Sequence, residues 1–322
     1  MVKLKPRPCQ SFLLIGARFF YWKEGGCMKN WKIHKDNDWL MLETGKSING
    51  KVVITSSVHG DEITGVLLIK NLLADLKKLS TKLGVQISIT PFVNLDGIKE
   101  TLREDPVSKK DLNRCFFKRN PPKQVRKLKS LLSGASFVID IHCFPHTKHA
   151  LTGLLFTSES NKEISRINRN AVTAFNPDIC WSLDFKDLDK EKKGSMGEWL
   201  VENDIPGIAI ETDSPEFLNN EDVVDISKKI ICTVEVALGK SISRNNNISS
   251  LKRFVVKAEQ SGIFIPLVQP LQHISKDQKI GKLISFDLSK VNVSSSVSGR
   301  VVFSKVAKFV NKDEKLVGIG IK

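Results

Sequence analysis

From Trp31 onward, apolar positions follow two alternating rhythms. Val52, Val53 and Ile54 form a continuous run, the mark of a strand buried on both faces. Ile63, Val66, Leu67, Ile69, Leu72, Leu73 and Leu76 then recur at three- and four-residue spacing, which predicts an amphipathic helix to about Leu79. Val85 to Phe92 reads as a strand. A helix carrying Val125, Leu128 and Leu132 is expected to open at Pro122, whose fixed φ suits a first turn. Further strands are expected at Phe137 to Ile141 and Gly207 to Glu211, and further helices at Ile164 to Phe175 and Val223 to Leu238. This alternation predicts an α/β sheet covered by helices on both faces.

The rhythm changes near Ser241. Residues 241–250 are polar, with Asn245, Asn246 and Asn247 in a row, and read as a linker. Residues 251–322 are rich in Val, Ile, Phe, Gly and Ser with little helical periodicity, which predicts a small all-β domain. Within it, Asp277-Gln278-Lys279-Ile280 is echoed by Asp313-Glu314-Lys315-Leu316, similar to the half-motifs of lipoyl-like barrels. No lysine occupies the intervening Ser294 to Ser298 turn, which argues against a lipoyl or biotin carrier, and two ordinary hairpins account for the echo equally well. At the other end, Lys23-Glu24-Gly25-Gly26-Cys27 precedes Met28, and such residues can be encoded by a purine-rich ribosome-binding sequence. Residues 1–27 are therefore expected to be a non-native or disordered leader, with Met28 the native start and residues 28–240 the main domain.

Composition narrows the function classes. Of 322 residues, 41% are hydrophobic and 26% charged, which excludes a wholly disordered chain. No apolar run approaches the roughly 20 residues of a membrane-spanning helix. The six cysteines form no Cys-x-x-Cys pair, so a zinc ribbon or redox motif is absent, and their scatter suits reduced thiols in the cytoplasm. A net charge of +15 favours acidic ligands. It also admits a basic nucleic-acid-binding protein as a reading of another class, against which stand the lack of a recognised binding motif and an aromatic content of only 7%. The basic stretch from Lys109 to Lys129 reads either as a solvated helix face or as a funnel for anions.

Four short segments carry candidate chemistry. Ser56-Ser57-Val58-His59-Gly60-Asp61-Glu62 links a strand to a helix, so His59 and Glu62 can converge on one point. Imidazole and carboxylate both suit zinc, although His-x-x-Glu alone equally marks a helix start. Asp140-Ile141-His142 ends a buried strand, and residues two apart share a face, so Asp140 can orient the His142 ring. His59, Glu62 and His142 together make a catalytic rather than a structural set, with a fourth position left for water. Asp111-Leu112-Asn113-Arg114 offers a planar guanidinium fork for a carboxylate, downstream of Asn94-Leu95-Asp96-Gly97 and Arg103. Ile210-Glu211-Thr212 ends a late apolar strand in a carboxylate that must be paired or used. Cys143, His146 and His149 follow the third candidate ligand, as a pocket loop, a second metal site or a plain polar loop.

In this order, the motifs resemble those of the zinc carboxypeptidase clan and, with the terminal β domain, the succinylglutamate desuccinylase/aspartoacylase family. The resemblance covers about residues 28–322. It implies a central mixed sheet flanked by helices, followed by a small C-terminal all-β domain. It implies one Zn2+ per chain on His59, Glu62 and His142, Glu211 as general base and then acid, Asn113 and Arg114 on the substrate carboxylate, and Arg103 polarising the scissile carbonyl. The activity it implies is removal of an acyl group from a small carboxylate-bearing N-acyl amino acid; release of a C-terminal residue from a peptide is the near alternative. A homo-oligomer is compatible with it. The chain departs from the pattern in having Leu95 where proline is frequent. It also has no tyrosine after Tyr21, whereas aspartoacylases use one from the C-terminal domain, which counts against N-acetylaspartate as substrate.

Overall fold

The computed structural model describes residues 31–36, 38–45, 48–185, 193–239 and 250–322. The expected leader (1–27) and residues 241–249 of the expected linker lie outside the described residues. The chain opens with β1 (Lys32–Asp36) and β2 (Trp39–Glu43), then β3 (Lys51–Ser56), α1 (Thr64–Leu83), β4 (Gln86–Thr90), α2 (Leu95–Glu100) and α3 (Lys123–Leu132). Next come β5 (Phe137–Cys143), β6 (Thr147–His149), β7 (Thr152–Thr157), α4 (Lys162–Phe175), β8 (Ile179–Asp184), α5 (Met196–Glu202), β9 (Gly207–Thr212) and α6 (Asn220–Ala237). The C-terminal part holds β10 (Ser250–Lys257), β11 (Gly262–Pro266), β12 (His273–Ile274), β13 (Lys279–Ile284), β14 (Lys290–Ser294), β15 (Gly299–Lys305), β16 (Lys308–Val310) and β17 (Lys315–Ile321).

The predicted mixed sheet is present. Its central order is β4-β3-β5-β9, all parallel, with β7 antiparallel to β9 and β8 parallel to β7. Strand alternation sorts the core into two layers. Val52, Ile54, Ile139, Ile141, Ile208 and Ile210 pack with α1, α4 and α6. Val53, Val138 and Ala209 face the other way, toward α3 and α5. Since side chains two apart share a face, Thr55, Asp140, His142 and Glu211 project on the α3/α5 side. The expected helix at Pro122 begins one residue later. Pro122 itself is the N-cap, with extended ψ 154°, where its missing N–H costs nothing.

The elements absent from the sequence reading are short. They include the β1–β2 hairpin, whose first strand is mostly exposed, and the seven-residue α5, too brief to display a helical period. Ser250, expected to close the linker, already opens β10.

The C-terminal strands are joined to the α/β part by backbone pairing. β10 extends the main sheet beside β8, with Ser250 opposite Cys180 and Leu251 opposite Trp181, and β17, β15 and β12 follow. β6 reaches across to β15, pairing His149 with Phe303. A second sheet, β14-β13-β11-β16, closes a core of Phe264, Ile280, Leu283, Val301, Val317 and Ile319. The internal echo is structural. Asp277 N–H donates to Ser295 O and Ser295 N–H to Gln278 O, while Asp313 N–H donates to Ala258 O and Ala258 N–H to Glu314 O. Lys276 N–H binds Ser298 Oγ just as Lys312 N–H binds Ser261 Oγ.

The loop after β3 is held by backbone contact. Ser57 adopts φ 54°, a left-handed conformation unusual for a side-chain-bearing residue, and its Oγ donates to Glu62 O at 2.9 Å. A Cβ on Gly60 would overlap the backbone of Gly97, so the His-Gly-Asp-Glu and Asn-x-Asp-Gly segments fit only because Gly60 carries no side chain. Gly60→Ala is expected to lower stability by about 1–3 kcal/mol. The exposed Gly45, which has open space around its Cβ position, should tolerate alanine. Urea denaturation of the two variants beside the parent checks this, and equal midpoints for Gly60→Ala and Gly45→Ala would refute it.

Candidate active site

Chain order reverses direction between β3 and β5: β4 lies to one side of β3, and β5 and β9 to the other. Such switch points open a crevice at the carboxyl ends of strands, and the candidate residues gather there. His59 and Glu62 come from the turn after β3, His142 from the end of β5, and Glu211 from the neighbouring position on β9, directly opposite His142 in register.

Glu62 is the hub. Its Oε1 lies 2.7 Å from His59 Nδ1 and 3.0 Å from Arg103 Nη1. Its Oε2 lies 2.8 Å from His142 Nδ1 and accepts from Cys143 N–H at 3.3 Å. Each imidazole is held at its other nitrogen by a second carboxylate. His142 Nε2 is 2.6 Å from Asp140 Oδ2, and Asp140 Oδ1 accepts from Thr55 Oγ1 at 2.6 Å. His59 Nε2 is 3.2 Å from Asp111 Oδ1, while Arg103 Nη2 donates to Asp111 Oδ2 at 3.2 Å. His59, Glu62 and His142 are only 3%, 3% and 6% exposed. Their donor atoms lie within 4.8 Å of one another, the one such group among the described residues. Two imidazoles and one carboxylate, each imidazole oriented by an outer carboxylate, fit a divalent transition metal such as zinc.

The electrostatics follow from this packing. Burial alone would depress His142, but Asp140 and Glu62 outweigh it and hold the imidazole well above its ordinary value. His59 is raised more modestly, because Arg103 opposes the carboxylates. Burial would raise Glu62, yet the two imidazoles drive it well below the usual carboxylate range. Glu211 shows the opposite balance. Burial and the nearby Glu62 charge push it up to about 7 against the pull of His142 and Arg253. Its Oε2 is sealed from solvent and has no hydrogen-bond partner.

A cavity of about 1310 Å³ opens beside the cluster. One wall holds Gly60, Arg103, Asp111 and Arg114. The opposite wall comes from the C-terminal strands, with Phe303, Lys305, Lys308 and Lys315. Of the expected substrate-binding pair, Arg114 lines the cavity and Asn113 does not; Asn113 Oδ1 instead accepts from Met196 N–H at 2.8 Å, fixing the start of α5. His146 is exposed at the rim, 3.3 Å from Glu216, while His149 is buried in an aromatic stack. Three lysines of the basic stretch are committed to scaffolding. Lys123 and Lys127 pair with Asp36 and Asp38 of the first hairpin, and Lys129 donates to Phe116 O.

Sequence reasoning passed over three site residues. Asp111 stood in a quoted motif but was read only through its neighbours Asn113 and Arg114. Arg253 and Lys315 come from the C-terminal strands, where alternating charge gave no sign that Lys315 lines the cavity or that Arg253 packs against Trp181, Phe303 and Phe144.

The comparisons with known proteins agree with this geometry. Residues 49–198 match the sequence profile described as the succinylglutamate desuccinylase/aspartoacylase catalytic domain. No curated protein matches the chain. Among solved structures, the product-bound ectoine utilization protein EutE (DoeB) from Ruegeria pomeroyi superposes with a TM-score of 0.75 at 15% identity, covering 91% of this chain and 94% of that one. A succinylglutamate desuccinylase from a Silicibacter species gives 0.74 at 16% identity, covering 90% and 93%. A metallo-carboxypeptidase from Burkholderia cenocepacia gives 0.54 at 12% identity, covering 66% and 65%. Profile match and shared fold together bear out the resemblance to the succinylglutamate desuccinylase/aspartoacylase family, with residues 49–198 matching its catalytic domain on a carboxypeptidase-like α/β sheet.

Proposed function

We propose that this hydrolase is a zinc-dependent amidase that removes the acyl group from an N-acyl amino acid. The observation that carries the reading is the buried His59–Glu62–His142 donor set beside Glu211, whose Oε2 has no partner. His59, Glu62 and His142 would hold the metal, and the chemistry zinc supplies when bound is Lewis acidity toward a carbonyl and a water. Asp111 and Asp140 fix the two imidazole rings. Glu211 takes the proton of the attacking water through its unpartnered oxygen and returns it to the nitrogen as the C–N bond breaks. Arg114 binds the substrate carboxylate. Arg103, now held by Glu62 and Asp111, lies close enough to steady the developing oxyanion. The wall contributed by the C-terminal strands limits the length of chain that can enter and favours a small N-acyl amino acid over a peptide. No described helix is long and apolar enough to cross a membrane.

Glu211→Gln is expected to cut turnover by about 10²–10⁴ while zinc content stays at one per chain. Assay with a panel of N-acyl amino acids and short peptides, beside metal analysis, checks both halves. Undiminished turnover would remove Glu211 from the mechanism. Release of C-terminal residues from the peptides would favour the carboxypeptidase reading instead.

Proton competition gives a second expectation. With both imidazoles raised, the metal-free site holds protons that zinc must displace, so affinity tightens as pH rises through those raised values. Calorimetry in buffers of different ionisation enthalpy should register release of up to about two protons per zinc near pH 7. The raised His59, His142 and Glu211 all bind protons more tightly in the folded chain than in the unfolded one. Stability of the chelated protein is therefore greatest on the mildly acidic side and falls as pH rises past about 7. Zinc binding without proton release would contradict this account.

A further inference from the structure

The second sheet, β14-β13-β11-β16, buries one face against the C-terminal core and turns the other to solvent. Register fixes what that outer face carries, because residues directly opposite one another share a face. Phe309 lies opposite Ile263, Ile263 opposite Ile284, and Ile284 opposite Lys290. Three apolar side chains and a lysine therefore form one row across all four strands. The next row on that face sets Ile265 opposite Lys282 and Lys282 opposite Asn292. Ile263 and Phe309 are 48% and 44% exposed, although a sheet face left to water is ordinarily polar.

Beside this row stands the β13–β14 loop, residues 285–289. Phe286 and Leu288 are 81% and 79% exposed, among the most exposed large apolar side chains of the described residues. The Phe286 ring leans toward Phe309, with 5.7 Å between centres, which makes loop and row one patch. The loop is closed by its own backbone: Ser285 N–H donates to Ser289 O, and Leu288 N–H to Ser285 O, both at 3.0 Å. Asp287, between the two apolar residues, turns its carboxylate back to Ser289 N–H at 2.9 Å. Leu288 holds φ 64°, a left-handed conformation that glycine or asparagine adopts at less cost. A leucine there strains the backbone and leaves its side chain in water, so its gain must come from a partner.

Charge and size decide the occupant. Residues 250–322 include 13 basic and five acidic residues. Lys282 and Lys290 share the apolar face, and Lys312 N–H binds Ser261 Oγ at 3.0 Å beside the start of β11. An isologous contact with a second copy would set this basic patch against itself. Its few apolar residues also fall short of the roughly 20–30 residues that each side of a stable interface uses. A nucleic acid would meet the charge but has no use for the aliphatic Ile263, Ile284 and Leu288. Two protruding apolar side chains flanked by lysines suit an anionic bilayer. The apolar groups enter the acyl boundary, and the ammonium groups meet the lipid headgroups.

We propose that the outer face of the second sheet, with Phe286 and Leu288 at its tip, docks the protein reversibly on an anionic lipid bilayer. Lys308 lines the cavity, and the next residue, Phe309, points to the opposite face of β16. The bilayer therefore sits behind the cavity wall and not across its mouth. This surface is independent of the amidase reading.

Flotation of the full chain tests this with vesicles of phosphatidylcholine alone and with about 30% phosphatidylserine added. The parent is expected to partition at least about tenfold more strongly onto the anionic vesicles and to be released by high salt. Phe286→Ser combined with Leu288→Asn should weaken that binding at least about tenfold, since neither side chain is any longer available to enter the bilayer. Lys282→Gln combined with Lys290→Gln should weaken it roughly fivefold per charge and leave binding to neutral vesicles unchanged. All four positions lie on the surface, and melting temperatures equal to the parent's exclude a folding defect. Absence of parent binding to either vesicle, or binding that survives both pairs of substitutions, would overturn the proposal. Binding lost with the lysines but untouched by the apolar changes would do the same, and would mark a purely electrostatic surface open to an acidic protein. Self-association of the parent that disappears in the Phe286/Leu288 variant, without lipid binding, would instead make the patch a contact between copies.

Discussion

The carboxylate of Glu62 is the constraint on which the site depends. A buried charge survives only if every lone pair is occupied, and here two imidazoles, a guanidinium and a backbone N–H share the task. Those partners come from the turn after β3, the segment after α2 and the end of β5. To bring them together, Gly60 must touch Gly97 as bare backbone, Ser57 must hold a left-handed conformation, and the two outer carboxylates must anchor the far side of each ring. The loops around the crevice therefore share one electrostatic purpose, and a divalent metal bound there would replace protons already concentrated at that point.

The C-terminal strands are part of the same construction. β10 prolongs the main sheet beside β8, and β6 leaves the α/β part to pair with β15. These hydrogen bonds fix Arg253 and Lys315 relative to Glu211 without relying on a flexible hinge. The cleft thus has two cationic sides. One is built from loops of the α/β part, and the other from a repeated hairpin unit whose two copies close with matching backbone bonds.

Much of the candidate site was legible in the sequence because its residues sit at strand ends, where polar groups interrupt apolar runs. Asp140, His142 and Glu211 break such runs, His59 and Glu62 follow one in the turn after β3, and the fold brings all five to one crevice. The alternation of Val52-Val53-Ile54 with the Ile63 to Leu76 helix likewise carried the sheet. Legibility failed where the local pattern was ordinary. Arg253 lies in an alternating strand among Lys252, Phe254 and Val255, and nothing nearby says that its fork is buried under three aromatic rings drawn from β8, β15 and the loop after β5. Asn113 fitted the substrate-binding motif by type, but its amide oxygen is committed to the start of α5. Short elements such as α5 escaped because seven residues hold too little periodicity to read.

The central claim is that His59, Glu62 and His142 would together hold one metal. Anomalous diffraction collected on either side of the zinc absorption edge, from crystals of protein purified without chelator, tests it most directly. The account predicts a single strong peak per chain among those three side chains above the edge, lost below it, and absent from the His59→Ala variant. A peak placed elsewhere, or none in crystals of protein that hydrolyses an N-acyl amino acid, would contradict it.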